Sequence, residues 1–324
     1  MREGIVTEKI SIRPFVPGQD DSAWVSINNR ALAAAPDFVA LTVEELQRGR
    51  QIPWYKYSHG FVAELDGIAV GTVSAFLKDD ERMRVGYVGG PNVVPEARRQ
   101  RIGTALMKRA IEILRDRGAT GAEGGAGDWN VAAHAFLRKH GFELAHTYSR
   151  MERDLTPVSG IGENRDVVLQ PFGVSDREVA TWHRLIQAAF AEYHNFERST
   201  LEEWTQFARH QGDGGAVLER YFAVADGEPV GFLIIEIDRR ENEQLGKKRG
   251  WVNDIGVLKE YRGRGIATRL LIHTIDRLRA LGMDTAVLSV DDQNITGARR
   301  VYERAGFRLV RRYTSFERVL TPTR

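Results

Sequence analysis

The chain has no cysteine. That absence excludes disulfides, thiolate nucleophiles and cysteine-held metals together, and it fits a cytoplasmic protein. Its eight histidines are scattered, with no pair spaced four apart on a predicted helix, which argues against a zinc site. Long hydrophobic runs are also missing. No apolar stretch reaches the length of a membrane span. Residues 1–11 carry Arg2, Glu3, Glu8 and Lys9, which do not read as a secretion signal. Charge of one sign is missing too: 46 Lys and Arg face 44 Asp and Glu, for a net charge of +2. With no zinc finger, basic–aromatic stripe or lysine tract, neither a nucleic acid nor a membrane is an expected partner.

At 324 residues the chain is long enough for two domains with proper cores. It repeats itself at that scale. Asp66-Gly67-Ile68-Ala69-Val70-Gly71 matches Asp226-Gly227-Glu228-Pro229-Val230-Gly231, an offset of 160 (226 − 66). Arg98 matches Arg262 and Gly118 matches Gly282, both at 164, and Gly141-Phe142 matches Gly306-Phe307 at 165. A period of this size means duplication, not a solenoid.

Each half reads as a short strand, a variable helical region, two strands joined by an Asp-Gly turn, a fourth strand, a basic turn, a helix and a fifth strand. In the second half these strands are expected at Val167–Phe172, Tyr221–Ala225, Pro229–Ile237, Trp251–Val257 and Thr285–Val290. A final strand pair is expected near Arg308–Val310 and Tyr313–Val319. The linker is placed at residues 156–165, around Pro157, Ser159, Gly160 and Gly162. That leaves an N-terminal domain over residues 1–155 and a C-terminal one over residues 166–324.

The most informative stretch is Val257-Leu258-Lys259-Glu260-Tyr261-Arg262-Gly263-Arg264-Gly265-Ile266-Ala267. It joins an apolar strand to an amphipathic helix through a glycine-punctuated basic turn. Backbone N–H groups at such a helix start, with arginines beside them, make a diphosphate cradle. The glycine spacing is not that of a dinucleotide-binding fingerprint, and no terminal Gly-Lys-Ser/Thr marks a phosphate-binding loop.

With Asn294, Ala298, Tyr302, Gly306 and Phe307 downstream, this arrangement resembles the GCN5-related N-acetyltransferases. Their signature, Gln/Arg-x-x-Gly-x-Gly/Ala, is matched by Arg262, Gly265 and Ala267. The resemblance spans nearly the full chain and points to the tandem members that include the mycothiol synthases. It implies an α/β fold of two tandem GNAT-like domains. Each would be a mixed, mostly antiparallel sheet with helices on both faces and a splayed pair of strands four and five.

The resemblance implies acetyl-CoA as cofactor. Backbone groups from Arg262 through Gly263, Arg264, Gly265 and Ile266 to Ala267 would hold its diphosphate, with Arg262 or Arg264 adding charge. Ile255, Gly256 and Val257 would bond its pantetheine arm. Asn294 would bind that arm or fix the helix start, and Ala298 would leave it room. Tyr302 would protonate the departing thiolate.

The glutamate that relatives carry early on strand four is Trp251 here. Asp254 and Glu236 are the remaining candidate bases, although simple strand alternation puts Asp254 on the face opposite Trp251. The acceptor pocket is expected around Tyr193, His194 and Glu197, with Glu192 beside them. Asn253 lies on strand four and Tyr313 on the far side.

The first half has Arg99 and Arg101 where the second has Gly263 and Gly265, and Leu137 where the second has Tyr302. Its fifth strand, between Gly121 and Gly127, reads as decayed. That half is not expected to catalyse. The expected activity is transfer of an acetyl group from acetyl-CoA to the primary amine of a small molecule, by direct attack in a ternary complex. The protein is expected to be a monomer or homodimer. A CoA-binding regulatory protein and a structural scaffold are the rival readings.

Overall fold

In a computed structural model, the chain is described over residues 10–78, 84–156, 164, 166–193, 196, 198–212 and 214–321. It forms two compact units. The first runs up to Ala145 and regains the chain at Ser315; the second is His146–Thr314.

The first unit contains β1 (Ile10–Pro14), α1 (Asp21–Leu32), α2 (Val43–Gly49), β2 (Ser58–Leu65), β3 (Ile68–Phe76), β4 (Val85–Val93), α3 (Ile102–Asp116), β5 (Gly121–Gly127) and α4 (Val131–Lys139). The strand β6 (Glu143–Asp154) carries the chain into the second unit. There follow β7 (Val168–Pro171), α5 (Asp176–Ala189), α6 (Leu201–His210), β8 (Val217–Ala225), β9 (Glu228–Ile237), α7 (Arg239–Leu245), β10 (Arg249–Val257), α8 (Ile266–Ala280), β11 (Thr285–Asp291), α9 (Ala298–Arg304) and β12 (Arg308–Val319).

Both units show the same local causes. Asp66-Gly67 and Asp226-Gly227 turn the β2–β3 and β8–β9 hairpins with all four residues at positive φ, the geometry that matches strand twist. Helices α3 and α8 start 164 residues apart (266 − 102) and each has 15 residues. In α8 the buried face is Ile266, Leu270, Leu271, Thr274, Ile275 and Leu278, at helical spacing against the strands. Each fully buried leucine or isoleucine there contributes about 1.5–3 kcal/mol.

Strand order in the second unit is β6-β11-β10-β9-β8-β7. Only β10 and β11 run parallel there, and they pair over just three residues, Arg249–Trp251 against Thr285–Val287. Beyond that point β10 continues to Val257 without β11, so the two strands part. The first unit repeats the pattern: β4 and β5 pair in parallel only over Val85–Tyr87 and Gly121–Glu123. These are the expected mixed, mostly antiparallel sheets with a splayed strand pair.

Each unit is closed by a strand from the other half of the chain. Tyr148–Asp154 pairs antiparallel with β11 in the second unit, while the end of β12, from Ser315, lies beside β5 in the first. Two arginines 165 apart (318 − 153) do equivalent work. Arg153 donates to the Ala305 carbonyl behind α9 at 2.5 Å, and Arg318 donates to the His140 carbonyl behind α4 at 2.8 Å. The division was expected along the chain at residues 155 and 166, while the compact units follow the exchanged strands. Residues 157–163 and 165 of the linker lie outside the described residues.

Two expectations need correction. The stretch expected to be decayed, Gly121–Gly127, is a full strand. Its glycines make room for neighbours: a Cβ on Gly127 would fall 1.7 Å from the Trp129 ring, and one on Gly124 would touch Leu137 at 3.5 Å. Packing therefore overrides weak intrinsic strand propensity. The expected terminal strand pair is one continuous strand, Arg308–Val319, because Arg311-Arg312 supplies no turn residue.

The worn turn of the first half keeps its backbone shape. Arg99 and Arg101 stand at φ 68 and 65, beside 77 at both Gly263 and Gly265. A side chain in that left-handed region costs about 1–2 kcal/mol. Arg101→Gly is therefore expected to hold or raise thermal stability, by no more than about 1 kcal/mol once the flexibility glycine adds to the unfolded chain is counted. It should create no second acetyl-CoA site; a clear drop in Tm would show that the arginine side chain supports the turn.

Candidate active site

The second-unit turn meets the needs of a diphosphate. Gly265 caps α8 at φ 77, which fixes the first turn's orphan N–H groups outward. From Gly263 to Ala267 no backbone N–H has a backbone acceptor among the described residues. The Arg262 N–H is taken by the Lys259 carbonyl at 3.2 Å. Arg264 lies half-exposed over the Tyr261 ring at 4.8 Å. The Arg262 guanidinium turns the other way, to the Val257 and Ala189 carbonyls and Glu192. Open N–H groups, no Cβ at two positions and a parted strand pair fit the diphosphate and pantetheine of an acyl-CoA.

Gly256 has a packing reason of its own. A Cβ there would meet Phe232 at 2.5 Å and Ala189 at 3.1 Å, so it lets α5 lie close on β10. Ile255 and Val257, its neighbours, pack on the opposite face against the α8 core.

The bulge lies one turn of chain earlier. Trp251 pairs with Glu236 and Val252 with Ile235, but Asp254 pairs with Ile234. Asn253 is the extra residue, and one extra residue reverses the alternation. Asp254 therefore shares a face with Trp251 and Glu236, which corrects the assignment to opposite faces. Burial alone pushes the Asp254 carboxyl up to about 6. The Glu236 carboxyl is also raised, first by burial and then by Asp238, Glu241 and Asp254; it accepts from exposed Asn253 at 2.8 Å. Trp251 is held in place, with Arg150 and Arg249 at 4.8 and 5.6 Å over its ring and its N–H on Glu241 at 3.3 Å.

Tyr302 sits on α9, only 7% exposed. Burial raises its phenol pKa, and Tyr193 and Asp254 add to the rise. No described group hydrogen-bonds its hydroxyl. Tyr193 is raised too, mainly by burial, with the Asn294 side chain and the Asp291 backbone opposing the rise. Asn294 also accepts from the Thr296 N–H at 2.7 Å, so it shapes the approach to α9. Ala298 is the first residue of that helix, behind Gly297 at φ 74.

A cavity of about 250 Å³ lies here, lined by His146, Ala189, Glu192, Tyr193, Asp291, Gln293, Asn294, Ile295 and Thr296. Of the residues expected at the site it gathers Glu192, Tyr193 and Asn294. Asp254 and Tyr302 lie close enough to Tyr193 to act on it or be acted on electrostatically. Tyr313 stands 45% exposed on β12 and is not among the lining residues. His194 and Glu197 lie outside the described residues. His146 is new. Its Nδ1 approaches buried Asp291 at 3.3 Å, and it arrives on the exchanged strand, so nothing in the second repeat could have signalled it.

The model of the acetyltransferase (GNAT) family matches residues 29–142 and 179–307, in both copies. The chain belongs to that family, whose fold implies acetyl-CoA as the acyl donor. The mycothiol acetyltransferase of Streptomyces griseus is 34% identical over 114 residues, which are 35% of this chain and 36% of that protein. That of Kytococcus sedentarius is 36% identical over 140 residues, 43% and 47% of the two chains. The chain thus matches between a third and a half of the length of these curated relatives.

Among solved structures, a GCN5-related N-acetyltransferase from Sphaerobacter thermophilus superposes with a TM-score of 0.69 at 23% identity, covering 97% of each chain. A tandem GNAT protein from the clavulanic acid biosynthesis pathway gives 0.76 at 18% identity, covering 98% of this chain and 100% of that one. These two likenesses speak for the fold.

Proposed function

We propose that the second unit transfers an acetyl group from acetyl-CoA to the primary amine of a small molecule by direct attack. Acetyl-CoA supplies the activated acyl group. The N–H groups of Gly263–Ala267 hold its diphosphate, and the free edge of β10 beyond Trp251 lines its pantetheine arm. A backbone N–H of that edge polarises the thioester carbonyl as negative charge develops. The amine nitrogen bonds to the acyl carbon, and its proton passes to the Asp254 carboxylate. The carbon–sulfur bond breaks, and the leaving sulfur takes the Tyr302 hydroxyl proton. The proton on Asp254 then restores the phenol. Asn253, Glu236 and Tyr193 border the acceptor.

One observation carries this reading: the bulge that turns desolvated Asp254 onto the face of Trp251 and Glu236, within electrostatic reach of Tyr302. It supplies a carboxylate of suitable pKa where strand four lacks its glutamate. The test is release of CoA from acetyl-CoA with a panel of primary amines: glucosamine, cysteine, lysine and spermidine. Activity should rise with pH through about 6, and Asp254→Asn should abolish that acid limb while lowering kcat about 100-fold. An unchanged profile in the variant removes Asp254 from the reaction. Binding of acetyl-CoA without turnover on any amine favours the regulatory reading instead.

The same group predicts a stability change. Because its folded pKa is raised, the native state binds the proton more tightly than the unfolded chain. Its contribution is thus lost as pH rises from about 4 to about 6, by at most roughly 3 kcal/mol. Asp254→Asn should accordingly be more stable than the native protein above pH 6 and little changed below pH 4, as read by thermal melts.

A further inference from the structure

The arginine that opens the cofactor turn does not face the turn. Its guanidinium donates to the Val257 carbonyl at 3.3 Å, to the Ala189 carbonyl at 3.1 Å and to Glu192 at 2.8 Å. Val257 ends the strand that borders the gap. Ala189 ends α5, and with Glu192 and Tyr193 it forms one wall of the cavity. Glu192 also takes Lys259 at 2.6 Å, and both cations hold its carboxyl below the usual range, Lys259 first.

The first unit is an internal control. Arg98 donates to the Val93 carbonyl at 3.0 Å and the Ala31 carbonyl at 2.9 Å. Ala31 is the last residue but one of α1, and Ala189 is the last of α5. The strand-to-helix brace therefore belongs to both copies, including the one whose cradle is filled by arginines. The carboxylate tie does not. At the offset of 158 that relates Ala189 to Ala31 (189 − 31), Glu192 falls on Ala34. The first copy joins its helix to its turn through a different pair, Arg30 of α1 with Glu96, which leaves the Arg98 guanidinium on carbonyls.

We propose that Arg262 is a positioning residue: it fastens the acceptor wall, Ala189 to Tyr193, to the first residue of the acetyl-CoA turn. This deepens the acetyl-transfer reading and rests on it. The planar guanidinium suits the task, since it reaches two carbonyls and a carboxylate at once, which an ammonium cannot do in one geometry. Tyr193, carried at the end of that wall, in turn meets Asn294 on the other side of the cavity. Loss of the brace should therefore blur the acceptor's placement without removing any diphosphate donor.

The test compares Arg262→Gln, Arg262→Lys, Glu192→Gln and Arg98→Gln in the full chain. Acetyl-CoA affinity is read by calorimetry, KM and kcat with the best amine of the panel, and amide exchange at Phe190 and Tyr193. Arg262→Gln should raise the amine KM about tenfold and speed exchange at those amides by a similar factor, with acetyl-CoA affinity within about threefold of native. Arg262→Lys should recover part of the KM, and Glu192→Gln should raise KM with little loss of Tm. Arg98→Gln should lower Tm and leave the amine KM alone. A tenfold loss of acetyl-CoA affinity with unchanged amine KM and unchanged exchange would make Arg262 a phosphate ligand and overturn the proposal. If the native protein turns over no amine, the transfer reading fails separately, and amide exchange in Arg262→Gln and Glu192→Gln still decides whether the brace exists.

Discussion

Gly265→Arg is expected to bind acetyl-CoA about 100-fold more weakly or worse while the chain keeps its fold. Two or three charge-assisted bonds from the turn to a diphosphate are worth about 1.5–3 kcal/mol each, and a side chain in the turn displaces them. The space is already close: a Cβ on Gly265 would stand 3.4 Å from that of Asn164, whose amide donates to the Arg264 carbonyl at 2.8 Å. The fold should survive because the first unit bears an arginine at the equivalent position, Arg101, at φ 65. Strain of about 1–2 kcal/mol should lower Tm by a few degrees. Calorimetry with acetyl-CoA checks this. Native-like affinity in a folded variant would mean that the turn is no cradle.

Tyr302→Phe should lower kcat by about 100- to 1,000-fold and leave acetyl-CoA affinity within about twofold. The phenol is buried, and both burial and the nearby Asp254 and Tyr193 raise its pKa, so it stays protonated across the working range. Removing a hydroxyl that no described group hydrogen-bonds should cost little stability, since no partner is left unsatisfied. Turnover with a full series of pH values is the measurement. A normal kcat throughout would take the proton donor's role away from Tyr302 and pass it to water.

The two readings differ in how far the sequence could see them. The duplication, the Asp-Gly hairpins, the glycine turn and the helix after it were all legible. Each rests on neighbours within a few residues: positive φ at Gly263 and Gly265, an apolar face at period 3.6 in α8. Tyr302 was singled out through the family resemblance, and its equivalence to Leu137 through the distance to Gly-Phe; the Tyr302 carbonyl does accept from the Phe307 N–H at 3.0 Å, as the Leu137 carbonyl does from Phe142 at 3.1 Å. The residues proposed for the acceptor side were much less so. Asp254 was seen but set on the wrong face, and His146 was not seen at all. The Arg262 guanidinium was expected beside the diphosphate and lies instead behind the cavity wall.

The sequence by itself determined where the chain turns, where its helices begin and which of its two cradles is open, because left-handed backbone and orphan N–H groups are properties of a few consecutive residues. Only the tertiary structure decided which side chains share the cavity and the strand face beside it. A strand's faces depend on its register with a partner, so a single extra residue at Asn253 moves Asp254 across the sheet. The strand that delivers His146 belongs by sequence to the other half of the chain. Glycines that look too weak for a strand in β5 hold one because Trp129 and Leu137 need the room. For the register of β10 and for the exchanged strand, the deciding interaction joins residues far apart in the chain, and no local pattern carries that information.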